Sequence, residues 1–414
     1  MTFRINAART GIACLVAMMA AGTAQAQAPL TLQDALARAA ADAPEKEAAE
    51  QARLGAEAGV RQASRMPNPS LDITAENLLG NRFYSGIGRA ETTLAMSQKL
   101  EWGDDRQART GLAAAGAGVV RASGDVRLRD LMHEVALAYL AAQKAAVDLE
   151  VELARLAIAE EIVATVNRRV EAARDPLMAG AKARAVLAEA KISVDAARSA
   201  SESARARLSS FWDGDVAFVV ETASFEALGQ SAEGALQPPP EIALAEAEIA
   251  RASAAIAVER ARAQQDPVIS AGLRYFHETD EAALVVGVSI PLTFLDNNDD
   301  AVAQAEAERS RLRYEAEAIR RNIEREANSA RAQMEIALGE IEGIDARLLP
   351  AAEEALAFAR QGYGAGGFSY LDVLDAQRLV VDARLRRNSV LFSYHSARLA
   401  LARLTGGYAG GAAQ

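Results

Sequence analysis

Four short segments of this chain alternate apolar with polar residues, and four such strands are too few to close on themselves. Leu71, Ile73, Ala75 and Leu79 alternate with Asp72, Thr74 and Glu76; Leu94, Met96 and Leu100 alternate with Thr93, Ala95, Ser97 and Lys99. Further on, Ile269, Ala271, Leu273 and Tyr275 alternate with Ser270, Gly272 and Arg274. Leu284, Val286, Val288 and Ile290 alternate with Val285, Gly287 and Ser289. A period of two predicts strands with one apolar face, each about 9 to 11 residues long, the length of a tilted membrane-spanning strand. Asn81 to Arg89 and His277 to Asp280 are the predicted hairpin loops. Two hairpins folded on a soluble core would need a core, and a lone hairpin is marginal in water. In lipid no water satisfies an open edge, so a spanning sheet must close, and closure takes about eight strands or more. Two copies would supply eight strands and three would supply twelve; the residues alone do not choose.

The rest of the chain reads as helix. No proline falls between Pro69 and Pro176, nor between Pro291 and Pro350, and proline is what breaks a helix interior. From Asp104 to Arg174 the residues Leu128, Leu131, Val135, Ala138, Ala142, Ala145, Leu149, Leu153 and Leu156 keep a 3-4 spacing, the stripe of a coiled coil. About 70 residues at 1.5 Å each would reach roughly 100 Å, beyond any compact domain. Asp299 to Gly362 has the same character, with Pro350 as a predicted kink. Aromatic residues make up only 5% of the chain, so large side chains for a globular core are scarce. Alanine-rich sequence of this kind favours long helices packed closely.

The chain repeats itself. Ser97-Gln98-Lys99-Leu100 precedes the first long helix and Ser289-Ile290-Pro291-Leu292 the second, while Val170 and Tyr363 mark the helix ends 193 positions apart. Pro69 and Pro267 match in the preceding linkers. This predicts two copies of one unit, residues 27–235 and 236–408, followed by a tail at 409–414.

Residues 1–26 read as an export signal: Arg4 and Arg9, an apolar run from Gly11 to Ala24, and an Ala24-Gln25-Ala26 cleavage site. The only cysteine, Cys14, lies inside it, and Gly11 stands where a lipoprotein site usually wants leucine. The mature chain therefore has no thiol for a disulfide, a thiolate metal site or a nucleophile. Its net charge falls from −11 to −13 once Arg4 and Arg9 are removed, which disfavours nucleic acid as a partner. No later segment is long and apolar enough for a transmembrane helix. His133, His277 and His395 are far apart, and no Gly-rich phosphate loop, G-x-S-x-G or H-E-x-x-H occurs. No cofactor, no resident metal and no enzymatic activity are expected.

Two segments carry a family resemblance. GYGAGGFSYLDVLDAQRLVVDAR, Gly362 to Arg384, resembles the turn between the last two periplasmic helices of the TolC outer-membrane efflux family. AENLLGNRFYSGIGRAETTLAMSQKLEWGDDRQAR, Ala75 to Arg109, resembles that family's heavy-metal, CzcC-like branch, in which Glu76-Asn77 and Glu91 are markers. The resemblance implies a mainly α fold with membrane β: a homotrimer with a twelve-stranded outer-membrane barrel in lipid and a periplasmic α-barrel. It also implies a mixed equatorial region at Phe211 to Pro240 and after Thr405, and docking on a periplasmic adaptor and an inner-membrane pump of the resistance-nodulation-division class. The implied cargo is divalent heavy-metal cations; organic compounds and secreted protein are the alternatives within the family. A periplasmic adaptor or a structural coiled coil are alternatives outside it.

The same resemblance singles out an aperture. Asp372 and Asp375, at i and i+3 on one helix face, would form rings of carboxylates in a trimer; the plainer reading is acids favoured by the helix N-terminus. Tyr363 aligns with an aperture tyrosine of the family, and Phe368 stands where a locking arginine would be. Apolar contact at Phe368 is therefore expected to replace an ion-pair network. Asp72, Glu76 and Arg274 fall on the polar face of the strands, the expected lumen of the barrel.

Overall fold

The computed structural model describes residues 28–212, 214–229, 238–292 and 295–405. The expected export signal, and the segment after Thr405 expected to join the equatorial region, lie outside the described residues.

The chain is a set of very long helices with a four-stranded sheet at one end. Helices α1 (Leu32–Asp42) and α2 (Pro44–Ala63) lead into strands β1 (Ser70–Glu76) and β2 (Glu91–Lys99). Next come α3 (Asp105–Glu171), α4 (Leu177–Ser209), the short α5 (Ala223–Glu226) and α6 (Pro240–Arg262). Strands β3 (Val268–Phe276) and β4 (Glu281–Ser289) follow, then α7 (Asp299–Gly343), α8 (Leu349–Ala365) and α9 (Tyr370–Thr405). No described helix is long and apolar enough to cross a membrane.

The sheet is antiparallel in the order β1-β2-β3-β4, with β1 and β4 as its edges. Ile269, Leu273, Leu284, Val286 and Val288 share its apolar face with Leu71, Ile73, Leu94 and Met96, and this face is bare: Ile73 is 69% and Leu284 73% exposed. A patch of this size on a water-soluble monomer would be a liability; against lipid it is the expected surface. The opposite face carries Ser70, Asp72, Thr74, Glu76, Thr93, Ser97 and Arg274. Gly272 sits at its middle, where a Cβ would lie 2.4 Å from the Leu94 carbonyl oxygen and 2.6 Å from the Ala95 Cα, so this crossing of β2 and β3 admits only glycine.

Three strands have nine residues, within the expected length, and only β1, with seven, is shorter. Leu79 is not in a strand. The backbone turns at Asn77, whose φ is +56°, and Leu79 itself adopts φ +53°, so the first loop runs over 77–90 instead of 81–89. The second loop occupies His277 to Asp280 as expected. The base of the sheet is pinned to the helices: Trp102 N–H donates to Asp266 Oδ1 at 3.0 Å, and Arg109 joins the buried Glu101 carboxylate at 2.6 Å to the carbonyls of Ala63 and Arg65.

Helix α3 spans 67 residues, about 100 Å at 1.5 Å per residue. Its partner in the second half is not one α-helix. A π-helical turn at Ile344–Leu348 separates α7 from α8, immediately before Pro350. Proline lacks the N–H that would donate one turn back and its ring crowds that carbonyl, so the wider turn accommodates what the sequence showed only as a kink. The helix contacts are built largely from alanine: Ala136, Ala138 and Ala142 of α3 and Ala327, Ala330 and Ala337 of α7 are all buried.

Half-way along the helices, the segment after α4 forms a plug. Trp212, Phe218 and Val220 pack with Leu30, Ala35, Ala39, Val135 and Tyr139, and Leu30 pairs with Val220 as a short parallel bridge. Tyr139 donates to the Leu30 carbonyl (3.0 Å), and Gln143 to that of Glu221 (2.6 Å). His395 is buried against the Phe225 carbonyl at 2.8 Å, and burial holds its pKa below the usual histidine value. It is a packing residue of this belt.

Candidate functional site at the helical tip

The end remote from the sheet is made of two turns, one between α3 and α4 and one between α8 and α9. Tyr363, Tyr370, Val373 and Leu374 pack there with Ile162, Val166 and Ala183, so the two helical hairpins share one core.

Both turns use the same device. After α8, Gly366 (φ +82°) donates to the Tyr363 carbonyl at 3.1 Å and Gly367 to that of Gly362 at 2.9 Å. After α3, Ala173 (φ +55°) donates to the Val170 carbonyl at 3.0 Å and Arg174 to that of Arg169 at 2.8 Å. Each is a Schellman cap, which needs one left-handed residue; glycine takes that conformation freely and alanine at a cost. The two caps stand 193 positions apart, matching the spacing of the helix-end landmarks.

At equivalent places in the two turns the side chains diverge. In the second, the Phe368 ring lies on Gly362, where a Cβ would come within 2.1 Å of its Cδ2. In the first, the corresponding residues are Arg169 and Asp175, and they form a bidentate ion pair: Nε to Oδ2 at 3.0 Å and Nη2 to Oδ1 at 3.2 Å. Arg169 also donates to the Tyr363 carbonyl (3.1 Å), and its guanidinium carbon lies 4.7 Å from the centre of the Tyr363 ring. Tyr363 completes the triad by donating its hydroxyl to Asp175 Oδ2 at 2.6 Å.

The electrostatics follow from these contacts. Hydrogen bonds from Arg169 and then Tyr363 hold the Asp175 carboxyl below the usual aspartate range. Burial, then the Asp175 contact, raises the Tyr363 phenol well above its ordinary value. The triad is therefore a charged latch over the physiological range. Beside Phe368, which is half exposed and packs on its own turn, the tip thus carries an ion-pair network in which Tyr363 is held by an arginine from the other half of the chain. Nothing in the spacing of Arg169, Asp175 and Tyr363 points to that meeting; only the tertiary packing of the hairpins brings it about.

Asp372 and Asp375 both lie on the exposed side of α9. Asp372 serves the helix start: its Oδ2 accepts from the Ser369 N–H and hydroxyl, both at 2.7 Å, which keeps its pKa low. That is the cap role open to such an acid, and Asp375, one turn on, is left facing outward with Leu371 and Leu379.

At the other end of the molecule the structure brings Arg274, Glu76 and a residue not singled out as a lumen group, Glu91, together across three strands. Arg274 lies 3.1 Å from each carboxylate and donates to Thr93 Oγ1 at 2.9 Å. Asp72 stands apart from them, accepting from the Ser97 hydroxyl at 2.6 Å. The signal for Glu91 was its alternation with Thr93 on the same face. Among the described residues no group of three or more His, Cys, Asp or Glu is placed to hold a metal ion.

These features have known counterparts. The family model of outer membrane efflux proteins matches residues 232–407. The chain is 29% identical to the cobalt-zinc-cadmium resistance protein CzcC of Cupriavidus metallidurans, over 92% of this chain and 91% of that one. It is 30% identical to the nickel-cobalt-cadmium resistance protein NccC of Alcaligenes xylosoxydans xylosoxydans, over 75% of this chain and 73% of that one. The chain belongs to the outer membrane efflux protein family. Its fold is the TolC type: it superposes on the crystal structure of CusC with a TM-score of 0.74 at 18% identity, covering 90% of this chain and 91% of that one. For VceC of Vibrio cholerae the TM-score is 0.72 at 19% identity, covering 91% and 96%. In a family member of this fold the four strands belong to the outer membrane and the helices to the periplasm.

Proposed function

We propose that this protein is the outer-membrane duct of a tripartite efflux pump that passes divalent heavy-metal cations of the cobalt, zinc and cadmium type to the exterior. The observation that carries the cargo is the end-to-end match to CzcC, which spans both hairpins and both helical tips. The bare apolar face of an open four-stranded sheet supports assembly, and we take the assembly to be a trimer with twelve strands. Its partners are a periplasmic adaptor and an inner-membrane resistance-nodulation-division pump. Residues 27–235 and 236–408 act as the two repeats of each subunit.

In this reading Asp72, Glu76 and Arg274 wet the barrel wall. Tyr363, Phe368, Asp372 and Asp375 belong to the periplasmic aperture, closed by the Arg169–Asp175–Tyr363 latch. The duct performs no chemistry; the pump supplies the work. A deletion strain tested on cobalt, zinc, cadmium, nickel, copper and silver is expected to lose tolerance to some of them and regain it with the gene on a plasmid. Unchanged tolerance to all six would overturn the metal cargo in favour of organic compounds or secreted protein.

A further inference from the structure

We propose that Glu76, Glu91 and Glu281, set against the single guanidinium of Arg274, form a cation-selecting band at the outer end of the barrel bore. This rests on the duct reading above, which makes the polar face of the sheet the wall of the bore.

The register places the band. Glu76 pairs with Glu91, Glu91 with Phe276, and Phe276 with Glu281, so these four residues form one row on the polar face. The row is the last before the loops, at the end of the strands away from the helices. The next row inward is Thr74, Thr93, Arg274 and Ala283. Two rows inward the wall is small: Ala95, Gly272 and Val285, after Asp72. Ser70, Ser97, Ser270 and Gly287 follow. Apart from Asp72, the bore is thus lined by small or neutral groups along its middle and by charge at its mouth.

Wetting a wall does not need this arrangement. A neutral pair such as Thr74 and Thr93 wets a wall without charge, whereas like charges placed directly opposite, as in Glu76 and Glu91, destabilise a sheet. Arg274 lies between these two carboxylates and offsets that repulsion. Asn77 donates to the remaining Glu91 oxygen at 3.1 Å, which fixes the carboxylate in place. Three carboxylates to one guanidinium leave a net negative row in every subunit. The loops do not cancel it: Arg89 pairs with Glu278 at 2.6 Å, and the loops carry Arg82 and Arg89 against Glu278 and Asp280. At the root of the bore, Lys99 is taken up by the buried Asp266 at 3.0 Å. A narrow passage with one sign of charge concentrates the opposite ion.

The test is the reversal potential of the purified full-length protein in planar bilayers under a potassium chloride gradient. The wild type is expected to prefer potassium over chloride. In the Glu76→Gln/Glu91→Gln/Glu281→Gln variant the permeability ratio is expected to fall by about threefold or more. Arg274→Gln shifts the ratio the other way, towards stronger cation preference. A conducting wild type whose ratio is unmoved by both the triple variant and Arg274→Gln overturns the band and leaves the duct standing. Protein that conducts nothing even when the tip is loosened by Asp175→Asn overturns the duct reading and the band with it.

Discussion

Tyr363 reaches from the last turn of α8 to Asp175, in the turn between α3 and α4, and donates its hydroxyl across 2.6 Å. The two residues are 188 positions apart and belong to different halves of the chain. Arg169 grips both, one by its carboxylate and the other by its carbonyl and ring. The tip of the duct is thereby tied within one subunit.

Removing the phenol should loosen that tie. Tyr363→Phe keeps the ring on Arg169 and deletes one hydrogen bond to a carboxylate, at a cost of about 1.5 to 3 kcal/mol for a bond to a charged group. Single-channel recordings are expected to show more frequent or larger openings than in the wild type. Phe368→Ala is expected to act more weakly, because that ring is half exposed and lies on Gly362 of its own turn.

Acid should release the same latch. Asp175 has a depressed pKa in the folded chain, so its contribution is full above the ordinary aspartate range and is lost as pH falls through the lowered value. Channel opening is therefore expected to be level from about pH 8 to 5 and to rise below about pH 4. Asp372, also depressed by its Ser369 contacts, titrates in the same window. Asp175→Asn is expected to open more readily at neutral pH and to show a smaller acid step.

The two Schellman caps give a paired stability test. Ala173 holds a left-handed conformation that glycine takes at no steric cost, and Gly366 holds the same one as glycine already. Ala173→Gly is expected to raise stability by about 0.5 to 1 kcal/mol, and Gly366→Ala to lower it by about 1 kcal/mol. Thermal melting followed by circular dichroism of the helical signal checks both.

Much of the architecture was legible because it rests on period and punctuation. Alternation placed all four strands and their apolar face, and proline spacing placed α3 to within three residues at its end, Glu171 against Arg174. Leu79 misled because its spacing kept the alternation while Asn77, a residue tolerant of positive φ, had already turned the backbone. Pro350 announced a disturbance, but nothing local distinguishes a π-turn from a simple bend. At the tip, the helix-end landmarks showed that two turns were alike. They did not show that Arg169 and Asp175 of one would clasp Tyr363 of the other, since that contact depends on how α3 and α8 pack. Resemblance directed attention to the position of Phe368, where the arginine is absent, while the guanidinium at this site comes from the first repeat.

The claim on which everything else rests is that the sheet closes only by joining β1 of one copy to β4 of the next. The expected mature chain has no cysteine, so introduced pairs report cleanly. Thr74→Cys is combined in turn with Ala283→Cys, Val285→Cys and Gly287→Cys, and outer membranes are oxidised and run on denaturing gels without reductant. At least one pair is expected to give a covalent trimer that reductant converts to monomer. Monomer alone from all three pairs, in protein that has reached the outer membrane, would contradict closure by assembly.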